Sequence, residues 1–172
     1  MGDDSGEINW YSPDPRCIID LKEFKASRRL LRTYRNGPFE IRYDCDWNGV
    51  LNSCADRDTT WITEPIFEAY SQLHVMGMAH TVEAYLDGKL VGGLYGVSLR
   101  GAFMGESMFH TATDASKVCL VALVERLRER GFTLLDCQYM TDHLRTLGAT
   151  LIPRAEYLHR LQQALLIDTR FA

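Results

Sequence analysis

An α/β (α+β) fold, a mixed sheet flanked by helices, is what the sequence predicts, and three observations carry it. Between residues 79 and 109, three apolar strand-like runs follow one another across short turns, the first of them Asp87-Gly88. On either side of these runs, apolar residues recur every three or four positions, the spacing of a helix with one buried face. A further strand-like run at 132–139 follows the second helical segment and returns the chain to the sheet.

Taken in order, residues 1–9 read as a flexible leader. Ser12-Pro13-Asp14-Pro15 reads as an extended turn, because each Pro fixes its own φ and biases the preceding residue away from helix. A helix is expected from about Ser27 to Arg35, stopped by Asn36-Gly37-Pro38. Phe39 to Cys45 alternates as a strand, with Phe39, Ile41 and Tyr43 on one face. A short helix at Trp47 to Ala55 and a polar loop at Asp56 to Thr60 come next. Thr63 as N-cap, with Pro65 in the first turn, opens a helix carrying Ile66, Tyr70, Leu73 and Met76 at helical spacing before Gly77 ends it. Strands are expected at 79–86, 89–98 and 102–109. Asp114 or Thr113 caps the next helix, where Val118, Val121, Val124 and Leu127 line one face up to Gly131. The strand at 132–139, a short helix near 142–147 and a helix from Pro153 to about Leu166 complete the layout.

With 172 residues the chain can bury one sizeable core, and the expected division is a lead-in module at 1–60 and a main catalytic domain at 61–172. Its 46% hydrophobic and 24% charged residues are ordinary for a soluble globular protein, and no apolar run approaches the roughly 20 residues of a membrane span. The polar, acidic start is unlike a signal peptide, so a cytosolic protein is expected. Cys17, Cys45, Cys54, Cys119 and Cys137 have neither metal-site spacing nor the density of a disulfide scaffold, which reads as reduced thiols and no metal. A net charge of −4 excludes nucleic-acid binding by the whole surface, leaving a local patch as the means of any such contact.

Several residues stand out as chemistry. Glu106 falls in the apolar run Gly105-Glu106-Ser107-Met108-Phe109, where an unpaired carboxylate costs several kcal/mol. It reads either as a ligand-facing group or as a carboxylate satisfied within the protein. Asp136 and Gln138 are alternate residues of one strand and are expected on the same face, where both can meet one substrate, or else exposed at a strand end. Leu94, Met108, Leu120, Leu123, Leu127 and Leu135 can form an apolar cup or simply core, which periodicity does not separate. Lys22, Lys25, Arg28, Arg29, Arg32 and Arg35 recur every three or four positions and make either a positive stripe for phosphates or a solvated face. Trp61 can stack on a base or sit at a boundary, and Trp10 is a weaker stacking candidate. Gly92-Gly93 and Gly96 lie within a strand pattern, not between strand and helix, so they make no dinucleotide loop.

Trp61-Ile62-Thr63, Ala69-Tyr70, Leu73-His74, Ala79-His80, Val82-Glu83, the run Leu90 to Val97, GESMF, Asp114-Ala115-Ser116-Lys117, Asp136-Cys137-Gln138, His143-Leu144, Leu147-Gly148-Ala149 and Ile152-Pro153-Arg154 closely resemble the leucyl/phenylalanyl-tRNA–protein transferases. The register holds from about Trp10 to the region of Leu161, with Ser12-Pro13-Asp14-Pro15-Arg16 as its early anchor. The resemblance implies a Gcn5-related N-acyltransferase-like fold and transfer of Leu or Phe from the 3′ end of charged tRNA to a free amine, with no cofactor beyond that donor. It implies catalytic roles for Asp136 and Gln138, and a role for Glu106 in receiving the α-amino group of the aminoacyl moiety or shaping its pocket. Charged tRNA, Leu-tRNA or Phe-tRNA, is the implied partner, and Trp61, Trp10, Lys25, Arg28, Arg29 and Arg32, read above from the residues themselves, are the candidates to meet it.

The family members compared begin with a further segment that supplies a stacking Trp, and here only nine residues precede Trp10. That difference raises the expectation of a small arginine-like acceptor, as in stand-alone relatives of nucleoside-antibiotic biosynthesis, beside the family's protein N-terminal Arg or Lys tagged for degradation. Two other classes compete: an acyl-CoA N-acyltransferase, which wants a glycine-rich pyrophosphate cradle that His110-Thr111-Ala112-Thr113 does not provide, and a noncatalytic tRNA- or degron-binding module.

Overall fold

The computed structural model describes residues 8–57 and 60–172. Most of the expected leader, and residues 58 and 59 of the expected polar loop, lie outside the described residues.

One sheet of seven strands organises the chain: β1 (Arg16–Ile19), β2 (Glu40–Tyr43), β3 (Ala79–Leu86), β4 (Lys89–Leu99), β5 (Ala102–His110), β6 (Leu134–Gln138) and β7 (Thr150–Ile152). Their order is β2-β3-β4-β5-β6-β1-β7. Every neighbouring pair is antiparallel except β5 with β6, which are parallel. A parallel pair needs a crossover, and α4 (Ala115–Glu129) supplies it. The other helices are α1 (Arg28–Asn36), α2 (Trp47–Ala55), α3 (Glu64–Val75), α5 (Asp142–Thr146) and α6 (Arg154–Ala164). This is the expected mixed sheet flanked by helices.

Two strands escaped the sequence reading. In β1 the residues Cys17, Ile18 and Ile19 are all buried, so no polar alternation marks it, and β7 has only three residues. Because β1 lies between β6 and β7, and β2 forms the far edge, residues before 60 furnish two strands of the same sheet that 61–172 builds.

On one face of the sheet α4 packs beneath α1, and the core there joins Leu30, Val82, Leu94, Phe103, Leu120 and Leu135. Covered by the sheet on one side and α1 on the other, α4 buries Cys119, Leu120, Ala122 and Leu123 as well as the face expected at Val118, Val121, Val124 and Leu127. Each such aliphatic side chain contributes about 1.5–3 kcal/mol of burial free energy. Close approach of β4 to the start of α4 needs Gly92: a Cβ there would lie 2.6 Å from the Ala115 Cβ. The second face carries α2 and α3 over Tyr95 and Phe109, and α6 over Ile18 and Leu134. Asp114 and Thr63 occupy N-cap positions, but neither side chain makes a capping bond. Asp114 turns instead to Arg29 and Lys117. Among the described residues no helix is long and apolar enough to cross a membrane.

Candidate functional site

The parallel strands β5 and β6 pair only where Ala102 to Met104 meet Leu134 to Asp136. Beyond those residues they part, and a cleft of about 770 Å³ lies between Gly105 to His110 on one strand and Cys137 to Tyr139 on the other. Toward α4 its wall is apolar, made by Leu94, Met108, Leu120, Leu123 and Leu135. Leu127, also expected in this cup, is fully buried in the core one turn further along α4 and does not reach the cleft. Toward α2 and α3 the wall carries Arg57, Trp61, Tyr95 and Ser107.

Asp136 and Gln138 do not both reach the cleft, as strand alternation predicts they would. Asp136 is fully buried on the α6 side, where its carboxylate accepts Arg16 Nε at 2.9 Å, Arg16 Nη2 at 2.6 Å and the Tyr157 hydroxyl at 3.0 Å. Gln138 points into the cleft. A β-bulge is the cause: β1 pairs Ile18 with Asp136 and Ile19 with Leu135, yet Cys17 pairs with Gln138, so one residue of β6 is extra. Gln138 has a left-handed backbone at φ 64°, and its N–H donates to Asp136 Oδ1 at 2.9 Å. Asp136 thus holds the kink that aims Gln138, and Arg16 with Tyr157 holds Asp136.

The Gln138 amide donates from Nε2 to Glu106 Oε2 at 3.0 Å and to the Gly105 carbonyl at 3.3 Å. With both amide donors committed, its carbonyl oxygen is left to accept a hydrogen bond from a ligand. Glu106 therefore is satisfied in part within the protein, by Gln138 and by the Tyr70 hydroxyl. Burial pushes its carboxyl above the usual range, and the bonds from Gln138 and Tyr70 act against that shift. A partly desolvated carboxylate beside an amide carbonyl, at the head of an apolar cup, suits a ligand with an amino group and an aliphatic or aromatic side chain.

The tRNA candidates divide. Trp61 lines the cleft and meets Tyr70 edge-on, with ring centroids 6.4 Å apart. Trp10 is 93% exposed and does not line the cleft. Arg29 is bound to Asp114 at the start of α4, so it holds α1 to α4. Lys22 and Lys25 precede α1, whereas Arg28, Arg32 and Arg35 are exposed along the helix itself. Arg16, Tyr70 and Tyr157 were not singled out from the sequence. Arg16 ends the Ser-Pro-Asp-Pro-Arg anchor, and that placement was the available signal. Among the described residues no three His, Cys, Asp or Glu side chains gather as metal ligands.

The family model described as leucyl/phenylalanyl-tRNA protein transferase matches residues 18–162. A leucyl/phenylalanyl-tRNA–protein transferase of Herpetosiphon aurantiacus is 56% identical over 170 residues, 98% of this chain and 89% of that protein. One from Rubrobacter xylanophilus is 52% identical over 173 residues, 100% of this chain and 91% of that protein. A solved structure of a functionally unknown conserved protein from Staphylococcus epidermidis superposes with a TM-score of 0.52 at 11% identity, over 81% of this chain and 57% of that one, a likeness of fold alone.

Proposed function

Because the chain belongs to the leucyl/phenylalanyl-tRNA–protein transferase family and is thereby an aminoacyltransferase, we propose that it moves Leu or Phe from the 3′ end of tRNA to the N-terminal amine of a protein beginning with Arg or Lys. The observation that carries this reading is the Gln138–Glu106 pair at the head of the apolar cleft, braced from behind by Asp136. No cofactor is proposed, since the aminoacyl ester is already activated. A small arginine-like acceptor draws no support from the relatives, whose names give a protein as acceptor.

In the proposed reaction the donor side chain lies among Leu94, Met108, Leu120, Leu123 and Leu135, its α-amino group faces Glu106, and its adenosine lies toward Trp61. The acceptor amine donates a hydrogen bond to the Gln138 carbonyl, which turns its lone pair to the ester carbon. A C–N bond forms, the bond from that carbon to the ribose oxygen breaks, and one proton passes from nitrogen to the departing ribose oxygen. Asp136 does not touch the substrate in this scheme and is a positioning residue.

Leu-tRNA carrying labelled leucine, offered to an Arg-initiated peptide, a Met-initiated peptide and free arginine, should label the Arg-initiated peptide with the highest specificity constant. Preference for free arginine would replace the protein acceptor with a small amine.

Charged-tRNA binding should weaken with salt. Replacing Arg28, Arg32 and Arg35 by Gln should flatten the log–log slope by about 0.7–0.9 per lost phosphate contact. Arg28, Arg32 and Arg35 recur at i, i+4 and i+7 of α1 and are exposed. Fluorescence titrations at several salt concentrations decide the matter, and an unchanged slope makes the stripe a solvated face.

A further inference from the structure

We propose that Cys17 and Cys137 form a redox modification site, in which a peroxide converts the two thiols to a disulfide that ties β1 to β6 at the bulge and halts transfer. The effect on transfer rests on the function proposed above, whereas the disulfide itself does not.

Strand register brings the two together. Ile18 lies opposite Asp136 and Cys17 opposite Gln138, so Cys137 is the extra residue of β6 between them, and the two residues of the bulge, Cys137 and Gln138, face the single Cys17 on β1. Both side chains pack into the same core beside α4. Neighbouring strands lie roughly 4.7–4.9 Å apart, within the Cα range a disulfide spans. Interaction between the two thiols holds Cys17 below the ordinary thiol value and, with burial, holds Cys137 well above it. Cys17 is fully buried, but Cys137 lines the cleft, through which a small oxidant reaches it. No other cysteine shares this arrangement: Cys45 is exposed, and Cys54 and Cys119 are buried thiols pushed upward by desolvation, Cys54 to about 12.

In the first step the Cys137 sulfur attacks one peroxide oxygen: the S–O bond forms, the O–O bond breaks, and the second oxygen takes the Cys137 thiol proton and leaves as water. The Cys17 sulfur then attacks the Cys137 sulfenic sulfur, the S–O bond breaks, and the hydroxide takes the Cys17 proton to leave as water. Two thiols and one hydrogen peroxide become one disulfide and two waters. The new bond draws β1 against the extra residue of β6. That residue adjoins Gln138, so the amide moves from its place beside Glu106.

The test treats the reduced, folded protein with graded hydrogen peroxide, blocks remaining thiols by alkylation and digests for mass spectrometry. The expected product is a Cys17–Cys137 cross-linked peptide pair, two hydrogens lighter than the separate peptides. Transfer from Leu-tRNA should fall in parallel by at least about tenfold, since small misplacements of a positioned group cost this much or more, and should return with dithiothreitol. Cys17→Ala should keep the untreated rate and retain it after peroxide. Recovery of Cys17 and Cys137 as separate thiols, or of Cys137 as a sulfinic acid, overturns the modification site. A cross-link that leaves transfer unchanged overturns the control of activity. If the reduced protein transfers nothing, the functional reading has failed, and the mass measurement still decides whether the disulfide forms.

Discussion

Asp136→Ala should lower the stability of the protein by about 3–5 kcal/mol and slow transfer by at least about 10²-fold. The first effect follows from what the carboxylate leaves behind. Its removal strands the Arg16 guanidinium, whose side chain is only 14% exposed, together with the Tyr157 hydroxyl and the Gln138 N–H. For a chain of this length the loss corresponds to about 6–20 °C in the unfolding midpoint. The second effect follows from the kink: without Oδ1 to accept the Gln138 N–H, the left-handed backbone at φ 64° has no side-chain anchor. Asp136→Asn separates the two, because its amide oxygen can still accept at Gln138 while the charge facing Arg16 is gone. Denaturant unfolding beside single-turnover transfer measures both, and an Asp136→Ala protein with wild-type stability and rate would refute the role given to this residue.

Gln138→Ala should also slow transfer by at least about 10²-fold, but with charged-tRNA affinity within a few-fold and stability little changed. Gln138 is partly exposed, and the Glu106 carboxylate it releases faces the open cleft, so truncating it costs far less than stranding the Arg16 guanidinium. What it removes is the carbonyl that, in the proposed reaction, orients the amine in the transition state. A second readout follows from Glu106. Burial raises the Glu106 carboxyl, and the Gln138 bond opposes that shift by favouring the ionised form. Without that bond the carboxyl rises further, so it ionises at higher pH. If Glu106 must ionise to receive the α-amino group, as in the proposed scheme, the acid limb of kcat/KM should therefore move to higher pH in Gln138→Ala. It should vanish in Glu106→Gln. A single-turnover rate near wild type, or an acid limb that stays in place, would remove Gln138 from the role assigned to it.

Much of the scaffold was legible because its signals are local. Asn36-Gly37-Pro38 stops α1, Asp87-Gly88 turns β3 into β4, and the apolar spacing of Ile66 and Tyr70 belongs to a helix. Five of the six proposed cup residues line the cleft, although core and pocket are alike in periodicity. Leu127 falls one helical turn beyond the cleft's reach, and depth along a helix is not written in its periodicity.

From sequence alone came the alternation of helices and strands, the family and its chemistry, Glu106 as a carboxylate out of keeping with an apolar strand, and Asp136 and Gln138 as residues marked by the family resemblance. Only the tertiary structure decided what each does with its neighbours. Side-chain alternation predicted that Asp136 and Gln138 would meet one substrate together, but β1, more than a hundred residues earlier, pairs across β6 with one residue to spare, and only Gln138 enters the cleft. Arg16 reaches Asp136 from that same strand, and Arg29 closes on Asp114 and leaves the basic stripe. The physical reason is common to all three. Local sequence sets the period of a strand or helix, whereas register, bulges and the partner of a charge depend on which distant strand arrives beside it.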